Sequence, residues 1–199
     1  AIAAAGLAVR LVAAPLALPL RYEPLLDNLR LGTGYSMATP SGGTPVGDVP
    51  PLAPVLVAYS PLGARAALLL VSTLTVVAVG RLVHRRHGRA AGIMAAAVAA
   101  VIPGMWGEQL PVQLAGLLVL GGVALADPTQ LTTRRAAIAG ACLGLATVAR
   151  PDALAALVVV AVWISGTRDA RGRAFRGVLL VSAVLVVLPW ANYVWSEFG

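Results

Sequence analysis

The sequence predicts an all-α fold: a polytopic transmembrane helical bundle of about seven spans, with an amphipathic juxtamembrane helix in a long first outer loop. Three observations predict it. Of 199 residues 59% are hydrophobic and 12% charged, and the mean hydropathy is +0.85, which is more apolar surface than the core of a soluble domain absorbs. Seven apolar stretches recur along the chain, read with a window of about 20 residues. The arginines between them fall in clusters on alternate sides.

The spans read as 2–20, 65–83, 90–103, 110–126, 136–149, 154–165 and 178–188. The first lacks a basic start and a small-x-small cleavage site, so it reads as an uncleaved span carrying Arg10. Spans 136–149 and 154–165 are short and joined by Ala149-Arg150-Pro151-Asp152, which suits a helical hairpin that enters without crossing fully. Alanine dominates and there are 21 glycines, so helices can approach backbone to backbone. Cys142 is the single cysteine, a small packing residue in an apolar run.

A net charge of +7 invites a nucleic-acid partner. Every one of the 15 basic residues is arginine, however, and they sit in short clusters between apolar runs, which is a topology signal. Arg81, His84, Arg85, Arg86, His87 and Arg89 form one loop, Arg134 and Arg135 a second, and Arg168, Arg171, Arg173 and Arg176 a third. By the positive-inside rule these face the cytoplasm and anionic lipid. Segments 21–64, 104–109, 150–153 and 189–199 hold most of the acidic residues and face outward. The N-terminus is then cytoplasmic and the C-terminal end extracytoplasmic. Arginine without lysine, with abundant alanine and valine, points to a GC-rich bacterial genome and hence a bacterial plasma membrane. The chain begins with Ala and stops soon after its last span, so it reads as one domain, 1–199, that is a portion of a longer protein.

The outer loop 21–64 carries the functional signal, since a long loop in an economical bundle usually serves function. Over 24–31, Leu25, Leu26, Leu29 and Leu31 alternate with polar Asp27, Asn28 and Arg30, giving a short amphipathic helix suited to the membrane surface. Glu23 and Asp27 are four apart and share a helical face. Gly32 and Gly34 break the helix, 39–51 reads as an irregular loop, and 52–59 resumes an apolar helix.

Asn28-Leu29-Arg30-Leu31-Gly32-Thr33-Gly34-Tyr35-Ser36, followed by Pro50-Pro51-Leu52-Ala53-Pro54-Val55-Leu56, resembles the first outer loop of C-type membrane glycosyltransferases of the dolichyl-phosphate-mannose protein mannosyltransferase-like group. The run from Gly140 through Gly144-Leu145-Ala146 to Arg150-Pro151 is similar to that family's G-x-x-x-G-L-A-x-L-x-R-P segment, and Pro189-Trp190-Ala191-Asn192-Tyr193 with Phe198-Gly199 to its P-W-x-x-R-N-Y…F-G segment. Glu108 falls where the family often opens its fourth span with an acid. The chain departs from the pattern in three places. Glu23 stands six residues before Leu29, closer than the family's acid; Ala53 replaces a tyrosine; and Asn192 lacks the preceding arginine.

The resemblance implies transfer of a sugar, hexose or pentose, from a polyprenyl-phosphate donor to a hydroxyl on an outer-face glycan, lipid or protein. A carboxylate takes the acceptor's proton and cations hold the departing phosphate. The implied bases are Glu23 and Asp27, with Asp48 and Glu108 behind them, and the implied phosphate-binding residues are Arg150, Arg30 and Arg21. Neither a metal nor a cofactor is expected, as His84 and His87 sit in a basic loop away from acidic or thiol partners. The plainer reading makes Glu23 and Asp27 solvated polar-face residues, Arg150 a helix-end cap or a partner of Asp152, and Trp106, Trp190, Tyr193 and Trp195 interfacial anchors. Two functional alternatives follow: a non-catalytic scaffold or degenerate transferase that binds lipid-linked sugar, and, behind it, a transporter, for which Arg10 is the one clear intramembrane charge.

Overall fold

The structure is a computed structural model that describes residues 23–32, 35–39, 42–45, 50–59, 63–101, 110–165 and 170–198. The expected first span, 2–20, lies outside them. The chain divides into two compact units, Ala1–Leu114 and Ala115–Gly199. The described residues are predominantly helical.

In the first unit, α1 (Glu23–Leu31) forms where the leucine spacing places it. Leu25, Leu26 and Leu29 are buried while Pro24, Asp27 and Arg30 are exposed, which is one apolar stripe at helical period. Gly32 ends the helix with φ +71°, a backbone state that costs a Cβ-bearing residue, and its N–H bonds to the Leu29 carbonyl at 3.2 Å. Within the expected irregular loop 39–51, residues 39 and 42–45 are instead paired in a small antiparallel ribbon, β1 (Ser36–Thr39) against β2 (Gly42–Pro45), in register Ser36↔Pro45 to Thr39↔Gly42; 40–41 and 46–49 lie outside the described residues. Pairing the two segments satisfies backbone groups that an irregular loop would leave to water. Helix α2 (Leu52–Tyr59) follows Pro51, whose carbonyl accepts the Val55 N–H at 3.0 Å, and it buries Ala53, Pro54 and Val57.

Helix α3 (Gly63–Val101) contains a break at Gly88, with φ 85° and ψ 176°. The residues before and after it fold back on one another. A Cβ on Gly80 would stand 2.9 Å from the Ala96 Cβ, and one on Gly92 would stand 2.6 Å from the His84 Cβ and 2.8 Å from the Gly80 carbonyl oxygen. The arms therefore run antiparallel in near backbone contact, with Val76, Ala99 and Ala100 buried between them and Val79 and Ala96 packed alongside. These arms correspond to the expected spans 65–83 and 90–103. The basic loop expected between them is corrected to a helical turn hinged on one glycine. Thr73 and Thr75 return their hydroxyl protons to the carbonyls of Leu69 and Val71, at 2.7 and 2.9 Å, so the apolar arm carries no unmet hydroxyl donor at these positions.

Helix α4 (Leu110–Leu125) leads into the second unit. Asp127 caps the 3-10 turn Pro128–Gln130 by accepting the Thr129 N–H at 3.0 Å and hydroxyl at 2.8 Å. Thr132 then caps α5 (Thr133–Ala149) through the Arg135 N–H at 3.2 Å. Arg134 and Arg135, expected in a loop, therefore lie in the first turn of α5. Arg135 is held there by the Gln130 carbonyl at 3.1 Å and side-chain oxygen at 2.8 Å. A 3-10 turn, Pro151–Ala153, joins α5 to the short α6 (Leu154–Ser165), and α7 (Ala170–Phe198) closes the unit. The core is Ala139, Leu143, Leu157, Val160, Ile164, Leu179 and Ala183. Helices α5 and α7 meet most closely. The Leu179 carbonyl fills the space a side chain on Gly140 would need, and a Cβ on Gly144 would stand 2.7 Å from the Ala183 oxygen. Helix α7 extends beyond the expected 178–188 at both ends, taking in Arg171, Arg173 and Arg176 of the expected third basic loop and running through Pro189 to Phe198.

Among the described residues two helical stretches, Ala66–Ala100, which Gly88 divides into two arms, and Gly172–Phe198, are by length and composition apolar enough to cross a membrane, while Leu110–Leu125 and Pro151–Ile164 are apolar but shorter.

Candidate functional site

The first unit builds a small platform from α1, the β1–β2 ribbon and α2. The Asn28 side-chain amide donates to the Ser36 carbonyl at 2.7 Å, so the first and last residues of the Asn28–Ser36 motif are joined across the Gly32 turn. The Tyr59 hydroxyl donates to the Leu29 carbonyl at 3.0 Å and ties α2 to the end of α1. Together with the Gly32 N–H, this bond satisfies a carbonyl that a helix C-terminus leaves without an intrahelical partner. Neither contact was readable from the sequence, because one joins residues 30 apart and the other needs the turn geometry.

On the exposed side of this platform Asp27 and Arg30 lie 3.4 Å apart, with side chains 68% and 52% exposed. An ion pair so open to solvent contributes little, about 0–1 kcal/mol, and leaves both groups available to another partner. Glu23 opens the same helix one turn earlier; its backbone position alone is described. Arg21, Asp48 and Glu108 lie outside the described residues.

Arg150 lies in the second unit. Its backbone N–H closes α5 on the Ala146 carbonyl at 2.8 Å. Its guanidinium forks onto Asp152, Nε to Oδ1 at 2.9 Å and Nη2 to Oδ2 at 2.6 Å, with side chains 39% and 65% exposed. The expected phosphate ligand is thus paired in both of the ways the plainer reading proposed, as cap and as ion pair. A fork that matches a carboxylate matches a phosphate equally well, so the two compete for one set of N–H groups.

Beside this turn is a groove of about 500 Å³ walled by Val148, Pro151, Val187, Trp190, Trp195 and Phe198. Trp190 and Tyr193 stack with ring centroids 5.1 Å apart. Thr147 borders the groove, but its hydroxyl is committed to the Leu143 carbonyl at 3.0 Å, so the wall it offers is apolar. Along the sequence these aromatics stand as separate interfacial anchors. Continuation of α7 through Pro189 is what places Trp190, Trp195 and Phe198 on one helix along one groove.

The structure therefore brings Asp27 and Arg30 together in one unit, and Arg150 and Asp152 in the other. No family model matches the chain, and neither a curated protein nor a solved structure matches it.

Proposed function

We propose that this chain is the membrane-embedded part of a glycosyltransferase that moves a sugar from a polyprenyl-phosphate donor to a hydroxyl on the outer face of a bacterial plasma membrane. The carrying observation is the platform: α1 buries its leucines, shows Asp27 and Arg30 to solvent, and is fixed by Asn28 and Tyr59. A base that must meet a lipid-linked donor at the bilayer surface needs such a rigid, surface-lying carrier. In this reading Asp27 or Glu23 accepts the acceptor's proton as its oxygen attacks the anomeric carbon, while the C–O bond to the lipid phosphate breaks and an arginine steadies the leaving phosphate.

Membrane placement is supported by where the apolar surface lies. Of the most apolar window in Gly172–Phe198 only 11% is buried, and Val181, Val184, Leu185 and Leu188 are all exposed. The core helix of a soluble protein would bury them, and so large an exposed apolar band calls for lipid. The same reading takes the helices from α3 to α7 as the expected spans, with the arginine-rich ends inward.

The experiment is transfer of radiolabelled sugar from a panel of polyprenyl-phosphate donors in membranes containing the full gene product, with Glu23→Gln and Asp27→Asn variants. Transfer abolished by one substitution, in protein still present and folded, supports the reading and names the base. Consumption of no donor removes it.

One observation favours a scaffold that binds lipid-linked sugar without turning it over. Arg150, the first of the three phosphate candidates, is already forked onto Asp152, so a donor phosphate would have to displace a carboxylate there. Donor retained by the protein without transfer is the outcome that reading expects.

A further inference from the structure

The tip of the α3 hairpin holds an open groove of about 310 Å³ that the proposed transferase does not use. Its floor is Val76, Val77, Ile93 and Ala96, and its rim carries Arg81, His84 and Arg89. Two facts set its chemistry. No Asp or Glu occurs anywhere in Gly63–Val101, and among the described residues neither Arg81 nor Arg89, both exposed, is in an ion pair. The groove exists because Gly80 and Gly92 let the two arms close below the tip, while the turn at Gly88 brings Arg89 back beside Arg81.

We propose that this groove binds one anionic phospholipid of the leaflet that the hairpin tip faces, its phosphate between Arg81 and Arg89 and the start of an acyl chain along Val76, Val77 and Ile93. The proposal rests on the membrane placement given above. Charge complementarity selects the occupant, because a rim of two guanidiniums without an ion-pair partner among the described residues, over an apolar floor, fits a molecule that is anionic at one end and hydrocarbon at the other. A free phosphate would leave the floor wet, and a zwitterionic lipid would bring a second cation to the arginines.

The test uses the full chain purified in detergent and reconstituted in bilayers of phosphatidylcholine, with or without about one-fifth phosphatidylglycerol, and reads the lipid retained on re-extraction by native mass spectrometry. Phosphatidylglycerol should be retained about tenfold over phosphatidylcholine. That preference should vanish in the Arg81→Gln/Arg89→Gln double variant and survive in Arg81→Lys/Arg89→Lys. Arg134→Gln/Arg173→Gln removes the same charge elsewhere and should keep it. Circular dichroism reports that each variant is folded. Equal retention of the two lipids, or equal loss in both Gln pairs, overturns the proposal, as does displacement of the lipid by millimolar inorganic phosphate. Failure to enter phosphatidylcholine bilayers at all removes the membrane placement, whereas entry without preference removes this site alone.

Discussion

The backbone carbonyl of Leu179 in α7 occupies the space that a side chain on Gly140 of α5 would need, and one turn on, Ala183 does the same to Gly144. The Gly140-x-x-x-Gly144 spacing thus has a packing function: two notches on one helix face, each filled by backbone of the neighbouring helix. Because the obstructing atoms are main chain, relief requires the helices to separate. Gly140→Leu or Gly144→Leu should cost about 3 kcal/mol or more, read as a fall in the unfolding midpoint in detergent. Gly177, with nothing within 4 Å of its Cβ position, is the control. Gly177→Ala should be neutral or stabilising by up to about 1 kcal/mol.

Gly88 has equally open surroundings but a different constraint. Its φ 85° and ψ 176° lie in a region that is essentially glycine's own. Gly88→Ala should therefore destabilise the hairpin by about 1–3 kcal/mol through backbone strain alone. The arm amides should exchange with solvent faster, while exchange in α5 and α7 stays unchanged.

Tyr59→Phe removes a single hydroxyl donor from the Leu29 carbonyl. A loss of about 0.5–1.5 kcal/mol is expected, confined to the platform and seen as faster exchange at the C-terminal end of α1. In the proposed enzyme it should lower transfer without changing which carboxylate is essential, because it loosens the carrier and not the base.

Arg150 and Asp152 permit a sharper test. As an exposed pair they should show a coupling of no more than about 1 kcal/mol in a double-mutant cycle of stability. If the guanidinium serves a donor phosphate, Asp152→Asn leaves the fork free and should hold or lower the donor KM, while Arg150→Gln raises it about tenfold or more. A purely structural pair would move both variants in the same direction.

Much of the helical layout was legible in the sequence, for identifiable reasons. The leucines of α1 are spaced at helical period, and burial follows that spacing residue by residue. Pro50-Pro51 and Gly32 are local signals and mark boundaries correctly. The run His84-Arg85-Arg86-His87 is polar and so suggests a loop. Charged residues favour helix as readily as loop, and only the φ of Gly88 decides where the chain reverses. Pro189 likewise signals an end to α7, yet the helix absorbs it, so the aromatic groove was invisible until 178–198 was seen as one helix. For the site, the pairing of Arg150 with Asp152 follows from a two-residue separation and was foreseeable; Asn28 to Ser36 and Tyr59 to Leu29 depend on tertiary closure and were not.

The one-residue turn at Gly88 also sets when the hairpin can pack during synthesis. The arm bearing Gly80 is finished first, before the residues that meet Gly80 and His84 exist. Only when Gly92 and Ala96 have been synthesised can the two arms close. With a single glycine between the arms there is no slack for a later segment to take the place of the second. Nascent chains cut between Gly88 and Gly92 would therefore carry a complete helix that cannot yet be a folded one.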